Sequence, residues 1–143
     1  MKYIITGGAG FIGSHIAERL VKQNKNVVIL DNSSTGRIDN IDNFKKKIKF
    51  IKCDISKKGK WVNEFKKECV VFHLAALADI VPSIANPKKY FRSNVEGTLN
   101  ILEACKNAKI SKLLYSASSS CYGIPKNYPT NEIEKINPLY PYA

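Results

Sequence analysis

The sequence predicts an α/β fold, a doubly wound parallel sheet of about five strands with helices on both faces. Three observations lead to this fold class. Short, continuous apolar runs alternate with segments of helical periodicity. A glycine-rich turn joins the first run to the first helical segment. The second run ends in a carboxylate, Asp31. The expected strand order is 3-2-1-4-5, with right-handed crossovers.

Five runs of apolar, largely β-branched residues predict buried strands. In chain order they cover residues 2–6, 26–30, 48–53, 70–74 and 112–116. The first run stops at Gly7, and the second and third run into Asp31 and Asp54. Each of these three strands is thus followed by a residue suited to a turn.

Three segments with apolar side chains at helical spacing predict helices at residues 11–23, 57–67 and 88–107. We expect the apolar members of each helix to share one side. These members are Phe11, Ile12, Ile16 and Leu20 in the first helix, Trp61, Val62 and Phe65 in the second, and Phe91, Val95, Leu99, Leu102 and Cys105 in the third.

The remaining segments are rich in residues that favour loops. Residues 32–43 are polar and predict a loop with about one helical turn. Pro82 and Pro87 interrupt the connection that precedes the third helix, and residues 118–141 contain four prolines. No internal repeat is visible, so 143 residues predict a single domain.

The chain is strongly basic, with 23 Lys and Arg against 12 Asp and Glu, a net charge of +11. Ten lysines lie between Lys45 and Lys67. Such a patch can bind nucleic acid or another polyanion. We favour a solvated lysine-rich surface and no nucleic-acid partner, because the segment shows no aromatic platform on which bases could stack.

Other function classes are excluded by composition. The longest uncharged run, residues 69–78, is too short to span a bilayer, and residues 1–6 do not resemble a signal peptide. We therefore expect a cytoplasmic protein with no membrane partner. The four cysteines, Cys53, Cys69, Cys105 and Cys121, lack the spacing of a zinc site, so we expect no metal and no disulfide framework.

Glycines 7, 10 and 13 form the fingerprint of a phosphate-binding turn. Gly7 permits the tight turn, Gly10 lets the backbone approach a pyrophosphate, and Gly13 allows close packing of the helix. The helix N-terminus then offers free N–H groups to the phosphates. Asp31, 18 residues after Gly13, is placed to accept hydrogen bonds from ribose hydroxyls and to repel a 2′-phosphate. This context predicts a Rossmann-type NAD site, although Arg37 could still meet the phosphate of NADP.

Six segments together resemble the extended short-chain dehydrogenase/reductase superfamily, the group of nucleotide-sugar epimerases and dehydratases. They are TGGAGFIGSH at 6–15, LDN at 30–32, CDI at 53–55, HLAA at 73–76, NVEGTLNILEA at 94–104 and YSASSSCYG at 115–123. The resemblance covers the whole chain and is closest to UDP-glucose 4-epimerase-like members.

By this resemblance, Asp54 and Ile55 flank the adenine, Leu74, Ala75 and Ala76 line the middle of the cofactor, and Asn94 orders the active site beneath it. His73 taken alone is a packed strand-end histidine, and the family pattern moves it toward the cofactor pocket. The full set of implied cofactor residues is Gly7, Gly10, Phe11, Ile12, Gly13, Asp31, Asn32, Asp54, Ile55, Leu74, Ala75, Ala76, Asn94 and Ser116.

The resemblance also implies the reacting groups. Ser118, four residues before the Tyr122-Gly123 pair, corresponds to the residue that touches the sugar hydroxyl. The reactive tyrosine follows about two dozen residues later and opens a Tyr-x-x-x-Lys helix. Tyr142 fits this position better than Tyr140, because Pro141 would interrupt a helix opened by Tyr140. The matching lysine would be residue 146.

Because the chain ends at Ala143, we expect residues 1–143 to be an incomplete NAD-binding domain, an N-terminal fragment without the later strands and the substrate domain. Such a fragment would expose the fifth strand as a sheet edge, with marginal stability and no turnover. Family members are often dimers through the helix after the fourth strand and the tyrosine helix, so a homodimer is expected of the full-length protein.

The residues after Ser118 indicate the reaction. Dehydratases of the family carry an Asp-Glu pair where this chain has Ser119 and Ser120, and related decarboxylases often carry a glutamate at the second position. Serines cannot act as carboxylic acids or bases, so the resemblance implies 4-epimerisation of a nucleotide sugar, with Ser118, Ser119, Ser120 and Tyr142 at the substrate. Ala78 stands where some galactose epimerases have lysine, which leaves uronate and N-acetylhexosamine substrates open.

Three alternatives remain at this point. The first is a reductase or decarboxylase of the same superfamily. The second is a non-catalytic NAD-binding module, for which the absence of the lysine would be natural. The third is a polyanion-binding protein that uses the lysines between residues 45 and 67.

Overall fold

A parallel sheet of five strands forms the centre of the molecule, in the order β3-β2-β1-β4-β5. The computed structural model describes all 143 residues, Met1–Ala143. The strands are β1 (Lys2–Thr6), β2 (Asn26–Asp31), β3 (Lys49–Lys52), β4 (Cys69–His73) and β5 (Lys112–Tyr115). The predicted fold class and strand order are confirmed; β1 has the predicted bounds, and the other four strands differ from theirs by one residue at one or both ends.

Helical segments connect the strands. The α-helices are α1 (Phe11–Lys22), α2 (Ile80–Ala85), α3 (Pro87–Tyr90) and α4 (Gly97–Asn107). A π-helical segment, Phe91–Glu96, joins α3 to α4. Three 3₁₀ helices cover Ile38–Lys47, Lys60–Glu64 and Ser119–Tyr122. No helix is long and apolar enough to cross a membrane.

The core has two parts, one on each face of the sheet, because successive side chains of a strand point to opposite faces. On one face, Ile4 of β1 packs in a cluster with Ile101 of α4 and Trp61. On the other face, Ile5 packs in a cluster with Ala17 of α1 and Ile41. The chain therefore covers both faces of the sheet, as a parallel sheet requires.

The predicted helix at residues 57–67 is reduced to a single 3₁₀ segment, Lys60–Glu64. Trp61 and Phe65 are both buried, and their rings meet edge to face at 5.8 Å. Phe65 itself has extended backbone angles. One helical turn is enough to bring both rings into the core, so apolar spacing of four residues did not require a longer helix. Conversely, the segment predicted as a loop at 32–43 contains the start of a ten-residue 3₁₀ helix.

Two predicted helical stripes are buried only in part. In α1, Leu20 of the predicted stripe is buried and Ile16 is half-buried, while Phe11 and Ile12 are exposed; the other buried residues are Gly13, Ser14, Ala17 and Val21. In the long helix, which runs from α3 through the π-helical segment to α4, Cys105 of the predicted stripe is buried, together with Tyr90, Ile101 and Ala104. The other four stripe residues are exposed, at 54% for Phe91, 51% for Val95, 55% for Leu99 and 46% for Leu102. The buried face of each helix therefore combines small and large residues, and most of the predicted stripe points outward.

The lysine-rich segment lies at the β3 edge of the sheet. Lys49 and Lys52 are exposed there, and the aromatic residues of the segment are in or beside the core: Trp61 and Phe65 are buried and Phe50 is half-buried. The lysines thus have no exposed aromatic partners. Charged side chains on an edge strand also discourage pairing with another sheet.

Candidate functional site

The carboxyl ends of β1, β2 and β4 meet at one edge of the sheet. The chain extends from β1 to β2 on one side and to β4 on the other, so the strand order reverses at β1. Ligands of open α/β sheets bind in the crevice at such a reversal. The predicted glycine turn, Asp31 and the residues after His73 all lie at this edge.

The glycine turn is shaped by close backbone contacts. Gly7 has a φ of +67°, and a Cβ there would lie 2.9 Å from the Ala75 backbone. A Cβ on Gly13 would collide with the Gly7 carbonyl oxygen, so Gly13 allows α1 to start directly against the turn. A Cβ on Gly10 would meet only the Gly7 oxygen, at 3.2 Å, and its other side is open. This open backbone is the part of the turn that a pyrophosphate could approach.

Asp31 connects the glycine turn to the end of β2. Its Oδ2 accepts a hydrogen bond from the Ala9 N–H at 2.9 Å, and its Oδ1 accepts one from the Ser33 N–H at 2.7 Å. The residue is buried, and no cation lies within ion-pair distance. Each carboxylate oxygen keeps a lone pair, so Asp31 can still accept from a ribose hydroxyl.

The loop after β2 folds over the glycine turn. The Ala9 carbonyl accepts hydrogen bonds from the Arg37 N–H at 3.0 Å and from the Asn40 side chain at 2.8 Å. A Cβ on Gly36 would lie 3.0 Å from the Ala9 carbonyl carbon. Ala9, Gly36 and Asn40 therefore build the cradle, although no pattern in the sequence indicated them beyond a polar, glycine-containing loop.

The opposite wall consists of Cys53, Asp54 and Ile55 after β3. One oxygen of Asp54, Oδ1, accepts from the N–H and hydroxyl of Ser56, at 3.0 and 2.8 Å, so this carboxylate also caps a turn. Burial, with the nearby Asp31 and Asp54 carboxylates, raises the pKa of the Cys53 thiol to about 11. Cys53 therefore stays a neutral thiol at physiological pH.

These walls enclose a first cavity, the dinucleotide cavity. Its lining includes nine of the predicted cofactor residues, which are Gly7, Gly10, Asp31, Asn32, Asp54, Ile55, Leu74, Ala75 and Ala76. These residues fit a dinucleotide, because they combine an open glycine backbone with a buried carboxylate, Asp31, that has no cation beside it.

Phe11, Ile12 and Gly13 do not line the dinucleotide cavity. The Phe11 and Ile12 side chains are exposed, at 77% and 57%, and Gly13 is covered by the turn. Any contact of Phe11 or Ile12 with a phosphate at this helix N-terminus would use the backbone N–H groups, which the first turn of a helix leaves free.

A second cavity of about 450 Å³, the reaction cavity, adjoins the first across Leu74, Ala75 and Ala76. The predicted residues Asn94, Ser116, Ser118 and Tyr142 line it. Ser119 and Ser120 do not line it, because they lie in the 3₁₀ helix that Ser118 caps. No aspartate or glutamate is among its lining residues.

Ser118 has hydrogen-bonding capacity left. Its Oγ accepts from the Ser120 N–H at 3.1 Å, which occupies one lone pair. The hydroxyl proton and a second lone pair remain for a ligand. The Tyr142 ring packs edge to face on buried Tyr90, with the centroids 6.5 Å apart. Ser118 and Tyr142 thus line the same cavity.

Asn94 lies in the π-helical segment and holds the loop after β4. Its Oδ1 accepts from the Leu77 N–H and its Nδ2 donates to the Leu77 carbonyl, both at 2.9 Å. Asn94 therefore holds Leu77, the residue next to the wall that the two cavities share.

Sequence reasoning missed Thr6 and Thr98. Thr6 Oγ1 lies 2.7 Å from His73 Nδ1, and Thr98 Oγ1 lies 2.9 Å from His73 Nε2. Burial lowers the pKa of His73 to about 4. A polar residue at the end of each buried strand, Thr6 and His73, was the available signal.

Comparison with known proteins agrees with this geometry. The sequence profile of the GDP-mannose 4,6 dehydratase family matches residues 4–143. The UDP-glucose 4-epimerase of Mycolicibacterium smegmatis is 39% identical over 148 residues, which cover 100% of this chain and 47% of that protein. The chain spans between 43% and 47% of the length of three curated relatives that it matches.

Two solved structures have the same fold. The UDP-N-acetylglucosamine 4-epimerase from Methanobrevibacter ruminantium, in complex with UDP-N-acetylmuramic acid, has a TM-score of 0.91 and 39% identity, and the match covers 99% of this chain and 45% of that one. The UDP-glucose 4-epimerase from Brucella ovis, in complex with NAD, has a TM-score of 0.88 and 36% identity, with coverages of 99% and 43%. The chain therefore belongs to the GDP-mannose 4,6 dehydratase family, within the extended short-chain dehydrogenase/reductase superfamily.

Proposed function

We propose that residues 1–143 are the NAD-binding part of an NAD-dependent nucleotide-sugar 4-epimerase. The observation that carries this proposal is the pair of adjoining cavities. One has the glycine turn and the carboxylate that suit a dinucleotide, and the other is lined by Ser118 and Tyr142 and by no aspartate or glutamate. The relatives and solved structures, which are named as UDP-sugar 4-epimerases, support the same activity.

The proposed roles follow from the groups in place. Asp31 would accept the adenine ribose hydroxyls, Asp54 and Ile55 would flank the base, and Gly10 would face the pyrophosphate. The buried carboxylate of Asp31 would meet the 2′-phosphate of NADP with like charge, which favours NAD. Arg37, the residue that could favour NADP, is exposed.

In the reaction cavity, we assign Tyr142 to take the proton from the sugar 4-hydroxyl and Ser118 to hold that hydroxyl by a hydrogen bond. NAD, when bound, supplies the hydride acceptor for the oxidation at C4 and returns the hydride afterwards. A phenol is a poor base at neutral pH and needs a nearby cation. In the Tyr-x-x-x-Lys pattern that cation is a lysine, at the position numbered 146 here.

The absence of carboxylates around Ser118 separates epimerisation from dehydration. Water loss from the sugar needs an acid and a base besides the tyrosine. Ser119 and Ser120 carry no carboxyl group and lie outside the reaction cavity. A decarboxylase with glutamate at the second position is disfavoured for the same reason.

We also infer that the whole protein is a homodimer. The stripe formed by Phe91, Val95, Leu99 and Leu102 is about half exposed along one helix. An exposed apolar stripe of this kind is typical of an interaction surface. The helix is the one through which members of this superfamily often dimerise.

Titration calorimetry with NAD and NADP tests the cofactor assignment. We expect the chain to bind NAD more tightly than NADP. Asp31→Asn should weaken NAD binding about tenfold, because the amide offers one acceptor oxygen for the groups that two oxygens now serve. Asp39→Asn, at an exposed carboxylate outside the cavity, is the control and should leave NAD affinity unchanged. Tighter binding of NADP would contradict the assignment.

A further inference from the structure

His73 lies at the centre of a hydrogen-bonded chain that joins three elements. The chain runs from Thr6 at the end of β1, through His73 at the end of β4, to Thr98 in α4. His73 is 1% exposed, and Tyr115 of β5 stacks on its ring with centroids 5.6 Å apart. None of the roles proposed above uses this imidazole.

Backbone groups fix the direction of every hydrogen bond in the chain. The N–H groups of Leu74 and Ala75 both donate to Thr6 Oγ1, each at 3.1 Å, with the Leu74 N–H shared with the Thr6 backbone carbonyl oxygen at 3.2 Å, and together they face both lone pairs of Oγ1. The Thr6 hydroxyl must therefore donate its own proton to His73 Nδ1, 2.7 Å away. Nδ1 is consequently an acceptor and carries no proton.

The contacts of Thr98, at the other end of the hydrogen-bonded chain, independently indicate the same tautomer of His73. The Thr98 hydroxyl donates to the backbone carbonyl oxygen of Asn94 at 2.5 Å, because a carbonyl oxygen can only accept. Thr98 Oγ1 is then left to accept from His73 Nε2, at 2.9 Å. Nε2 must carry the proton of the neutral ring.

A second proton on His73 has no place in this arrangement. It would sit on Nδ1 and face a Thr6 hydroxyl whose lone pairs are already occupied. The low pKa that burial gives His73 agrees with this geometry. The ring therefore stays neutral, and both of its nitrogens are satisfied.

The two backbone groups that donate to Thr6 lie beside the proposed cofactor site. Leu74 and Ala75 line both cavities, and the Ala75 backbone is the surface against which Gly7 packs. We propose that His73, as the neutral imidazole with its proton on Nε2, is a positioning residue that holds the Leu74–Ala75 backbone in register against the glycine turn. Its effect on the cofactor rests on the proposed function, whereas its protonation state and its effect on the backbone do not.

Nitrogen NMR of the imidazoles in the intact chain tests the protonation state. For His73 at neutral pH we expect an unprotonated Nδ1 and a protonated Nε2. The only other histidine, His15, is an internal contrast, because its Nδ1 is 2.8 Å from the Phe11 carbonyl and must donate there. A protonated Nδ1 on His73 would overturn the proposal.

Two matched variants test the positioning role. Thr98→Val removes the acceptor for Nε2–H, and Thr98→Ser retains it. We expect Thr98→Val, but not Thr98→Ser, to speed hydrogen exchange of the Leu74 and Ala75 amides and to weaken NAD binding about fivefold to tenfold. Urea unfolding of both variants gives the accompanying change in stability.

The outcomes separate this inference from the proposed function. If Thr98→Val lowers only the urea midpoint and leaves both amide exchange and NAD affinity unchanged, His73 is merely a packed residue and the inference is wrong. If the unaltered chain does not bind NAD, the proposed function fails. The imidazole shifts and the amide exchange still decide the role of His73 in that case.

Discussion

Gly7 and Gly10 belong to the same turn, yet different parts of the molecule require them to be glycine. Gly7 is fixed by its positive φ and by the Ala75 backbone, which leaves no room for a Cβ. Gly10 has ordinary backbone angles for a residue before a helix, and the space beside it is open except for one oxygen. Folding thus requires glycine at position 7, and the proposed ligand requires it at position 10.

Alanine substitutions separate these two requirements. Gly7→Ala should destabilise the chain by about 1–3 kcal/mol, because the left-handed conformation and the contact with Ala75 are both strained. Gly10→Ala should change stability by less than about 1 kcal/mol and still abolish tight NAD binding. Urea unfolding and titration calorimetry on both variants check this. Normal NAD affinity in folded Gly10→Ala would contradict the assigned position of the pyrophosphate.

Glu64 joins separate elements at the β3 edge of the sheet. From the 3₁₀ helix Lys60–Glu64, its carboxylate pairs with Lys49 of β3 at 2.5 Å and with Lys2 of β1 at 3.2 Å. The hydrogen bond from Lys49, followed by the one from Lys2, lowers the pKa of Glu64 below its usual 4.5. A pKa lowered by folding means that the ionised form stabilises the native chain.

This pairing gives a prediction for acid unfolding. The stabilisation from Glu64 is fully present above its usual pKa near 4.5 and is lost as the pH falls through the lower native value. Glu64→Gln should therefore reduce stability near neutral pH and flatten the loss of stability between about pH 5 and pH 3. Urea midpoints over that range measure it. Glu18→Gln, which breaks an exposed pair with Lys22, is the control, and an equal effect there would contradict the prediction.

The long helix has two faces with different tasks. Ile101 is fully buried against β1 and β4 side chains in the core, whereas Leu99, two residues earlier, is 55% exposed. Burial stabilises the fold of this chain, and the exposed face is available for association.

Substitutions on the buried face should change stability, and substitutions on the exposed face should change association. Ile101→Ala should destabilise the chain by about 2–5 kcal/mol, because it leaves a cavity in the core. Leu99→Ser should leave stability within about 0.5 kcal/mol and weaken the dimerisation that we propose for the whole protein. Urea unfolding measures the stability of both variants, and sedimentation equilibrium measures the mass of the whole protein in solution. A stable dimer of Leu99→Ser would place the interface elsewhere.

At the scale of the molecule, the reaction cavity brings residues 141–143 together with β4, β5 and the long helix. Tyr142 and Ala143 form part of its lining. β5 is an edge strand, with Leu114 43% and Tyr115 60% exposed beside the cavity. We propose that the 143 residues bind NAD without supplying the cation that the Tyr142 phenol needs.

The corresponding prediction concerns turnover. The chain of residues 1–143 should bind NAD and show no interconversion of UDP-glucose and UDP-galactose, because the Tyr142 phenol then lacks the lysine ammonium that, together with the cationic nicotinamide, favours the phenolate at neutral pH. A coupled assay for either product measures this, with a longer chain that includes residue 146 as the comparison. Epimerisation by the 143 residues alone would contradict the proposed dependence on that lysine.

The sequence by itself determined the fold class, the strand order and most of the dinucleotide cavity. Apolar runs of strand length require burial on both faces of a sheet, and the glycine spacing after β1 is needed for one kind of turn. These constraints are local, so Gly7, Gly10 and Asp31 could be recognised from spacing alone. The other six predicted cofactor residues in the cavity lining, Asn32, Asp54, Ile55, Leu74, Ala75 and Ala76, were implied by the family resemblance.

The tertiary structure alone decided which helical faces are buried and how the loops meet. Apolar periodicity identified Leu99 and Phe11 as candidates for burial, but small residues such as Ala17 and Gly97 permit the closer approach to the sheet, and both are buried. The bonds of Ala9 with Asp31 and Asn40, and of His73 with Thr6 and Thr98, join residues that are 22 to 67 positions apart. Such contacts depend on the packing of whole elements, which no local pattern in the sequence encodes.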